Sequence, residues 1–438
     1  MKQKTSLKTK SIIKLFENKG IEQTIKFVFP VIFISAHVPK IVRSKSWVSI
    51  FLGTFFLLSK FLFMKREILP TPNYYDVLFY VPNIKYKKYL EALTSNTSFS
   101  YLIISEDLKG ENIISVNKFN VTNPRIYSSY LFKVLLYIFI LSIKTNQFSD
   151  FKKYYWNILS FVRRHIIVDY LVENIQFKKY FSFHPVEGFH QIIQKFFKTK
   201  FKDTYAIRPT TTSMAKEHQF ISTDNLFYKT EDELSIYQRS NLKGVKLIKG
   251  GLIAENKLFE KDTARNAILF LDTCTNVSPD SITIRRKAVT QFLHFVSKLN
   301  SKVYYKFHPA LIDSELKRTK EKINSLAKPN IKILDSDIPW EKIGLAIGFD
   351  TTVFYECFLN KIPVLSFREK YYMFPNPINE FTISPVMAIK NESDFEIISK
   401  LLNDKVIRNN KKSEQYQWFS EKYNYPAGMN TIKQILAE

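Results

Sequence analysis

Cysteine is nearly missing from this chain of 438 residues: there are two, Cys274 and Cys357. They offer no disulfide framework and no metal-ligand spacing, which suits a reducing cytoplasm. A signal peptide is not readable either. The basic start from Met1 to Lys10 runs into Ser11-Ile12-Ile13-Lys14-Leu15-Phe16-Glu17, which is charged and amphipathic. Long apolar runs are scarce. Trp47 to Met64 carries Lys60 and is bracketed by Lys45 and Lys65, whereas a spanning helix needs about 20 mostly apolar residues. It is a marginal span, better placed at a membrane surface. Phe27 to Ile34 and Val134 to Ile143 are shorter runs closed by nearby charges. The first reads as a membrane-surface or core helix, the second as a buried helix. No nucleic-acid-binding module, dense basic–aromatic patch or convincing internal repeat is present, so nucleic acid is not an expected partner.

What the chain has in excess is positive charge: 65 Lys and Arg against 40 Asp and Glu, a net +25. The lysines are spread along the whole length, and an AT-rich coding bias accounts for part of them. The functional readings are an anionic membrane face, an anionic glycan or a nucleotide phosphate. Hydrophobic content of 45% and charged content of 24% describe a globular protein. The length predicts two domains and an appendage.

The order of elements supports that division. Residues 1–70 form a basic, apolar-rich helical appendage, closed by Leu69-Pro70-Thr71-Pro72-Asn73. Residues 71–255 then alternate strand and helix. Strands are expected at Tyr75 to Val81, Phe99 to Ser105, Asn112 to Val116, Lys179 to Phe183, Asp203 to Arg208 and Gln219 to Ser222. The pattern is helical from Tyr127 to Glu173. Residues 256–438 repeat the rhythm, with strands at Ala267 to Asp272, Lys302 to Phe307, Ile331 to Leu334, Leu345 to Ile347 and Ile362 to Phe367, ending in a helical tail. Two such runs predict an α/β protein of two doubly wound, Rossmann-like domains facing a cleft.

The chemistry-bearing residues stand where strands end. Lys306-Phe307-His308-Pro309 closes one strand, and Gly348-Phe349-Asp350-Thr351-Thr352 turns another into a helix that carries Glu356. Strand carboxyl ends and helix starts are where open α/β sheets take phosphates. The competing reading makes His308 a turn histidine, Asp350 or Thr351 an N-cap, and Glu356 a favourable charge near a helix start. Asp335-Ser336-Asp337 has the look of a metal-bridging loop, but before Ile338-Pro339-Trp340 it reads as a turn, and no metal is expected. In the first half, Phe183-His184-Pro185-Val186-Glu187-Gly188 ends a strand, so His184 or Glu187 can serve as general base. Ser105-Glu106-Asp107 is the competing source of a carboxylate. Arg208 and Thr210 belong to a polar loop suited to acceptor contacts. His190 and His218 read as surface or helix-face histidines.

The second half resembles the bacterial GT-B glycosyltransferases that build capsule and lipopolysaccharide. It is closest in style to sialyl- and polysialyltransferases, Kdo transferases and CDP-glycerol-type transferases. The residues that carry the resemblance are Lys306-Phe307-His308-Pro309, Asp350-Thr351-Thr352, Glu356 and Pro363. It implies that His308, Pro309, Thr351 and Thr352, with Asp350 and Glu356, hold the donor nucleotide, a cytidine nucleotide being favoured. Of the family's acidic pair before glycine, Glu187-Gly188 is present and Val186 replaces the first acid. The implied activity is metal-independent, inverting transfer from a nucleotide sugar, a substrate rather than a cofactor, to a glycan or lipid-linked acceptor. The expected location is cytoplasmic, peripheral on the inner membrane. A polyol-phosphate transferase, a sugar-nucleotide epimerase and a non-catalytic membrane or glycan-binding protein are the alternatives.

Overall fold

A computed structural model describes residues 17–21, 24, 74–105, 108–110, 112–115, 124–159, 161, 175–185, 190, 194, 203–208, 221, 223–240, 242–254, 265–273, 280–309, 311–326, 330–335, 337–349, 351–369 and 385–438. Trp47 to Met64, Cys274 and His218 lie outside this set. The chain divides into two compact units: residues up to 209 with 214–253 and Gly428–Glu438, and a second unit spanning Ala254–Ala427.

The first unit is built on seven parallel strands: β1 (Tyr74–Val81), β2 (Tyr101–Ser105), β3 (Ile113–Ser115), β4 (Gln176–Ser182), β5 (Asp203–Ile207), β6 (Asn225–Tyr228) and β7 (Lys246–Lys249). Their order is β3-β2-β1-β4-β5-β6-β7. The central strands are apolar almost without interruption because a parallel sheet is covered on both faces. Val77 to Val81 are all buried. Phe79 packs against Phe181 and Phe183, with ring centroids 5.6 and 6.2 Å apart. Helices α1 (Lys87–Thr94), α2 (Pro124–Lys144) and α3 (Glu231–Arg239) accompany the sheet. The stretch Val134 to Ile143, expected to be buried, is so on one side only. Val134, Leu135, Ile138 and Ser142 are buried, while Leu136, Tyr137, Ile140 and Ile143 face water. The helix is apolar nearly all round, and only one side of it is buried.

The second unit carries six parallel strands: β8 (Ala267–Leu271), β9 (Val303–Lys306), β10 (Ile331–Leu334), β11 (Ile343–Gly348), β12 (Val364–Phe367) and β13 (Met387–Ile389). Their order is β10-β9-β8-β11-β12-β13. Helices α4 (Ser281–Val296), α5 (Asp313–Ser325), α6 (Val353–Leu359), α7 (Glu396–Asn403) and α8 (Lys405–Lys422) complete it. Ile268, Phe270, Val303, Tyr305, Leu345 and Ile347 from the sheet meet Phe292, Leu293 and Val296 from α4 in one core.

The helical tail does not stay with this unit. Helix α9 (Ala427–Ala437) buries Ile432 and Leu436 in the core of the first sheet, beside Val77 and Phe79. The approach is close: a Cβ on Gly428 would lie 2.3 Å from the carbonyl oxygen of Gly250. Lys179 Nζ donates to the Ile435 carbonyl at 2.5 Å, and Lys433 Nζ to that of Ser95 at 2.9 Å. An amphipathic tail announces that it covers a core without saying which one.

Candidate functional site

Each sheet reverses its strand order once, between β1 and β4 in the first unit and between β8 and β11 in the second. In open α/β sheets the crevice beyond the carboxyl ends of the strands at such a reversal is the ligand site. In the second unit the reversal is made tight by Gly348, the last residue of β11, which is in register with Leu271 at the end of β8. A Cβ on Gly348 would sit 2.3 Å from the Leu271 carbonyl oxygen, so no larger residue lets these two strands end side by side.

Thr351 and Thr352 follow, both half-buried. The Thr351 carbonyl accepts from Phe354 N at 3.1 Å, its Oγ1 from Val353 N at 3.4 Å, and the Thr352 carbonyl from Tyr355 N at 3.2 Å, which opens α6. Glu356 is half-buried on that helix. Helix α6 has seven residues, so its dipole is a small contribution. The hydroxyls and the converging strand ends define the place. His308 is half-buried two residues beyond β9, its carbonyl accepting from Leu311 N at 3.0 Å, and Pro309 is exposed. Strand β9 lies against β8, and β8 against β11. His308 and the Thr351–Thr352 pair therefore stand on strand ends two spacings apart, roughly 10 Å. The end of β8 lies between them. Asp350 is outside the described residues.

Beneath the end of β8 is a charged cluster that sequence reasoning missed. Arg285 of α4 is fully buried and donates to Asp272 through Nε at 2.8 Å and Nη2 at 2.5 Å. Tyr305 of β9 gives its hydroxyl hydrogen to the same carboxylate at 2.8 Å. Glu315 of α5 accepts from Arg285 Nη1 at 3.2 Å and pairs with Arg286, and Thr319 Oγ1 lies 3.1 Å from Arg285 Nη2. Burial opposes the Arg285 charge, but the hydrogen bonds and charge of Asp272 outweigh it, so its pKa rises. Burial, followed by the Asp272 charge, pushes the Tyr305 phenol well up. The Arg286 hydrogen bond holds the Glu315 carboxyl below its ordinary value. Asp272, the first residue beyond a wholly apolar strand, was readable as a polar strand end; its partner on α4 was not.

In the first unit, His184 stands two residues beyond β4, at the reversal point. It is half-buried, its backbone N donating to Ser182 Oγ at 3.1 Å and its ring edge-on to Tyr86 at 6.1 Å. Arg208, half-buried, is the first residue past β5, the neighbouring strand. Its carbonyl is held by Lys229 Nζ at 2.8 Å. Lys229 is fully buried, 3.4 Å from Glu233, whose carboxylate also takes the Lys229 backbone N–H at 2.6 Å and the Tyr237 hydroxyl at 2.9 Å. Thr230 caps α3 through Glu233 N. The sequence signal for this cluster is Thr230-x-x-Glu233, a helix-start pattern. Ser105 ends β2 fully buried, its Oγ accepting from Leu108 N at 3.1 Å. Glu187, Thr210, Glu106 and Asp107 lie outside the described residues.

His190, expected at the surface or on a helix face, lies on a helix and is fully buried. Its Nδ1 lies 3.0 Å from the Tyr180 hydroxyl and its ring stacks on that of Tyr180 at 5.6 Å. Burial, then the nearby His184, push its pKa down to about 3 against a hydrogen bond with Gln194. Asp335 and Asp337 are both exposed. Among the described residues no group of three or more His, Cys, Asp or Glu is placed to hold a metal ion.

No protein-family model matches the chain, and no curated protein does. Solved structures do. The UDP-GlcNAc 2-epimerase of Methanocaldococcus jannaschii is similar at 12% identity, TM-score 0.51, over 83% of this chain and 99% of that one. A putative UDP-N-acetylglucosamine 2-epimerase from Listeria monocytogenes is similar at 10% identity, TM-score 0.53, over 82% and 94%. S. aureus MnaA, in a co-structure with UDP, is similar at 10% identity, TM-score 0.51, over 82% and 94%. At such identities the likeness establishes the fold: an α/β protein of two Rossmann-like units, of the GT-B type.

Proposed function

We propose that the protein is a glycosyltransferase, moving a sugar from a nucleotide-activated donor to a surface-polysaccharide or lipid-linked acceptor. One observation carries this reading. His308-Pro309 and Thr351-Thr352 occupy strand ends on either side of β8, at the reversal point of the second sheet. The first unit supplies His184 and Arg208 on the ends of adjacent strands, with Glu187 close to His184 in sequence.

In the reaction the base, His184 or Glu187, takes the proton of an acceptor hydroxyl. The acceptor oxygen then attacks the anomeric carbon from the face opposite the nucleotide, inverting it. The bond from that carbon to the phosphate oxygen breaks, and the electron pair leaves with the nucleotide. His308 and the Thr351 and Thr352 hydroxyls donate to the phosphate as its charge grows, a role independent of metal. Asp350 and Glu356 would bind elsewhere on the donor, Arg208 and Thr210 on the acceptor. The nucleotide sugar is a substrate, and no resident cofactor is invoked. A cytidine nucleotide is the favoured donor. The net +25 and the Trp47 to Met64 segment favour a peripheral place on the inner membrane and an anionic or lipid-linked acceptor.

The test is thermal unfolding with CMP, CDP, UDP and GDP, since a ligand of the folded state raises the midpoint. Product analysis with the stabilising nucleotide's sugars follows. Sugar appearing on an acceptor supports the reading. Polyol phosphate transferred from CDP-glycerol, an epimerised nucleotide sugar, or no nucleotide binding at all replaces it with one of the alternatives.

A further inference from the structure

Helix α2 has an apolar face that is left exposed. Phe132, Leu136, Ile140 and Ile143 are 58, 44, 42 and 56% exposed. With 3.6 residues per turn, these four fall within roughly 80° of one another and form a continuous stripe. The water side of a helix in a globular protein ordinarily carries polar residues. Along one edge of the stripe run Lys133, Tyr137 and Lys144, all exposed, and exposed Phe148 follows the helix end. Across residues 131–159 there are four lysines, Lys133, Lys144, Lys152 and Lys153, and one acidic residue, half-buried Asp150. Glu17 approaches from another segment and accepts the Tyr137 hydroxyl at 2.6 Å.

We propose that this stripe is the surface on which the protein docks to an anionic lipid bilayer. An apolar stripe edged with lysine is how a helix lies in a membrane interface, its rings and aliphatic chains among the acyl chains and its ammonium groups at the headgroups. No described helix is long and apolar enough to cross a membrane, so α2 lies along the surface. Charge selects the occupant. Two copies of a chain carrying +25 repel one another, whereas an anionic leaflet attracts them. The proposal is independent of sugar transfer, and it places membrane contact on residues other than Trp47 to Met64.

The experiment is co-sedimentation of the full chain with phosphatidylcholine vesicles, with and without phosphatidylglycerol, using wild type, Leu136→Gln/Ile140→Gln and Lys133→Gln/Lys144→Gln. Wild type should bind vesicles containing phosphatidylglycerol and leave pure phosphatidylcholine largely in solution. The apolar pair should lose about tenfold or more in partitioning, and the lysine pair several-fold with a weaker salt dependence. Both variants should melt at the wild-type temperature. Wild-type binding by the apolar pair overturns the proposal while leaving peripheral attachment through Trp47 to Met64 standing. Failure of wild type to bind any vesicle overturns both. Self-association in sedimentation velocity that the apolar pair abolishes assigns the stripe to a second copy. A large drop in that variant's melting temperature assigns it to the chain's own interior, and either result defeats the membrane assignment.

Discussion

Arg285 grips the carboxylate of Asp272 with two hydrogen bonds, at 2.8 and 2.5 Å, where both side chains are shut off from water. This contact ties α4 to the end of β8. Through Tyr305 and Glu315 it extends to β9 and α5, the elements on either side of the His308 turn. Such a cluster adds little net stability against a well-packed apolar substitute, because two charges must leave water to make it. What it does add is position. The strand end facing the proposed phosphate is held from three sides, and the cost of disturbing it is high.

Breaking one half should be worse than removing both. Asp272→Asn leaves the buried Arg285 charge with Glu315 as its one remaining anion, and losing half of a buried pair costs up to about 3–5 kcal/mol. The second unit should unfold at a markedly lower temperature in that variant. Asp272→Leu/Arg285→Met, which removes both charges, should recover much of the loss. The check is thermal unfolding of all three proteins. A double variant no more stable than Asp272→Asn would show that the pair is not acting as a unit.

His308→Ala should impair the donor step far more than the fold. His308 is half-buried and follows the strand through a backbone turn, so its loss opens no large cavity. Removing one donor to developing charge typically costs about 10²–10³ in rate. Transfer kinetics and the nucleotide-induced rise in melting temperature measure the two effects separately. Transfer at the wild-type rate would remove His308 from the site.

The sequence exposed the central strands because parallel strands buried on both faces are apolar throughout. The YDVLFYV run and AILFL stand out for that reason. Strand β7 at the sheet edge reads Lys-Leu-Ile-Lys and β6 is four residues long, too short and too polar to announce themselves. Strand β13, three residues at the edge of the other sheet, was missed as well. His308, Thr351 and Thr352 were legible as polar residues ending apolar strands. Arg285 and His190 were not, since each is buried by partners distant in sequence or by packing that a helix periodicity does not identify. The destination of α9 was hidden likewise, its contacts with Lys179 and Ser95 crossing most of the chain.

Activity should survive excess EDTA. Asp335 and Asp337 are exposed, and an exposed pair makes no rigid cage for a divalent ion. The phosphate charge is then met by His308 and the hydroxyls. Loss of transfer in EDTA, restored by Mg²⁺ or Mn²⁺ and absent in Asp337→Ala, would put a cation on the diphosphate instead.

The first unit should lose stability to acid through His190. Burial holds its folded pKa at about 3, whereas an unfolded histidine titrates near 6.5. The proton therefore binds the unfolded chain first. Stability from this group is fully present above pH ~6.5, falls as pH drops through the interval, and levels off below about 3. A gap that wide represents at most about 5 kcal/mol at full development. Among the described residues, the Tyr180 hydroxyl, Gln194 and His184 face His190. Of these His184 bears on the charge directly, because a positive charge there opposes a second one on His190. His190→Gln keeps a neutral hydrogen-bonding side chain and removes the titration. Unfolding midpoints at pH 7.5 and pH 5 should separate widely in wild type and much less in the variant, even if the variant is weaker at both. Equal separations in the two proteins would mean that His190 takes up its proton without leaving the core.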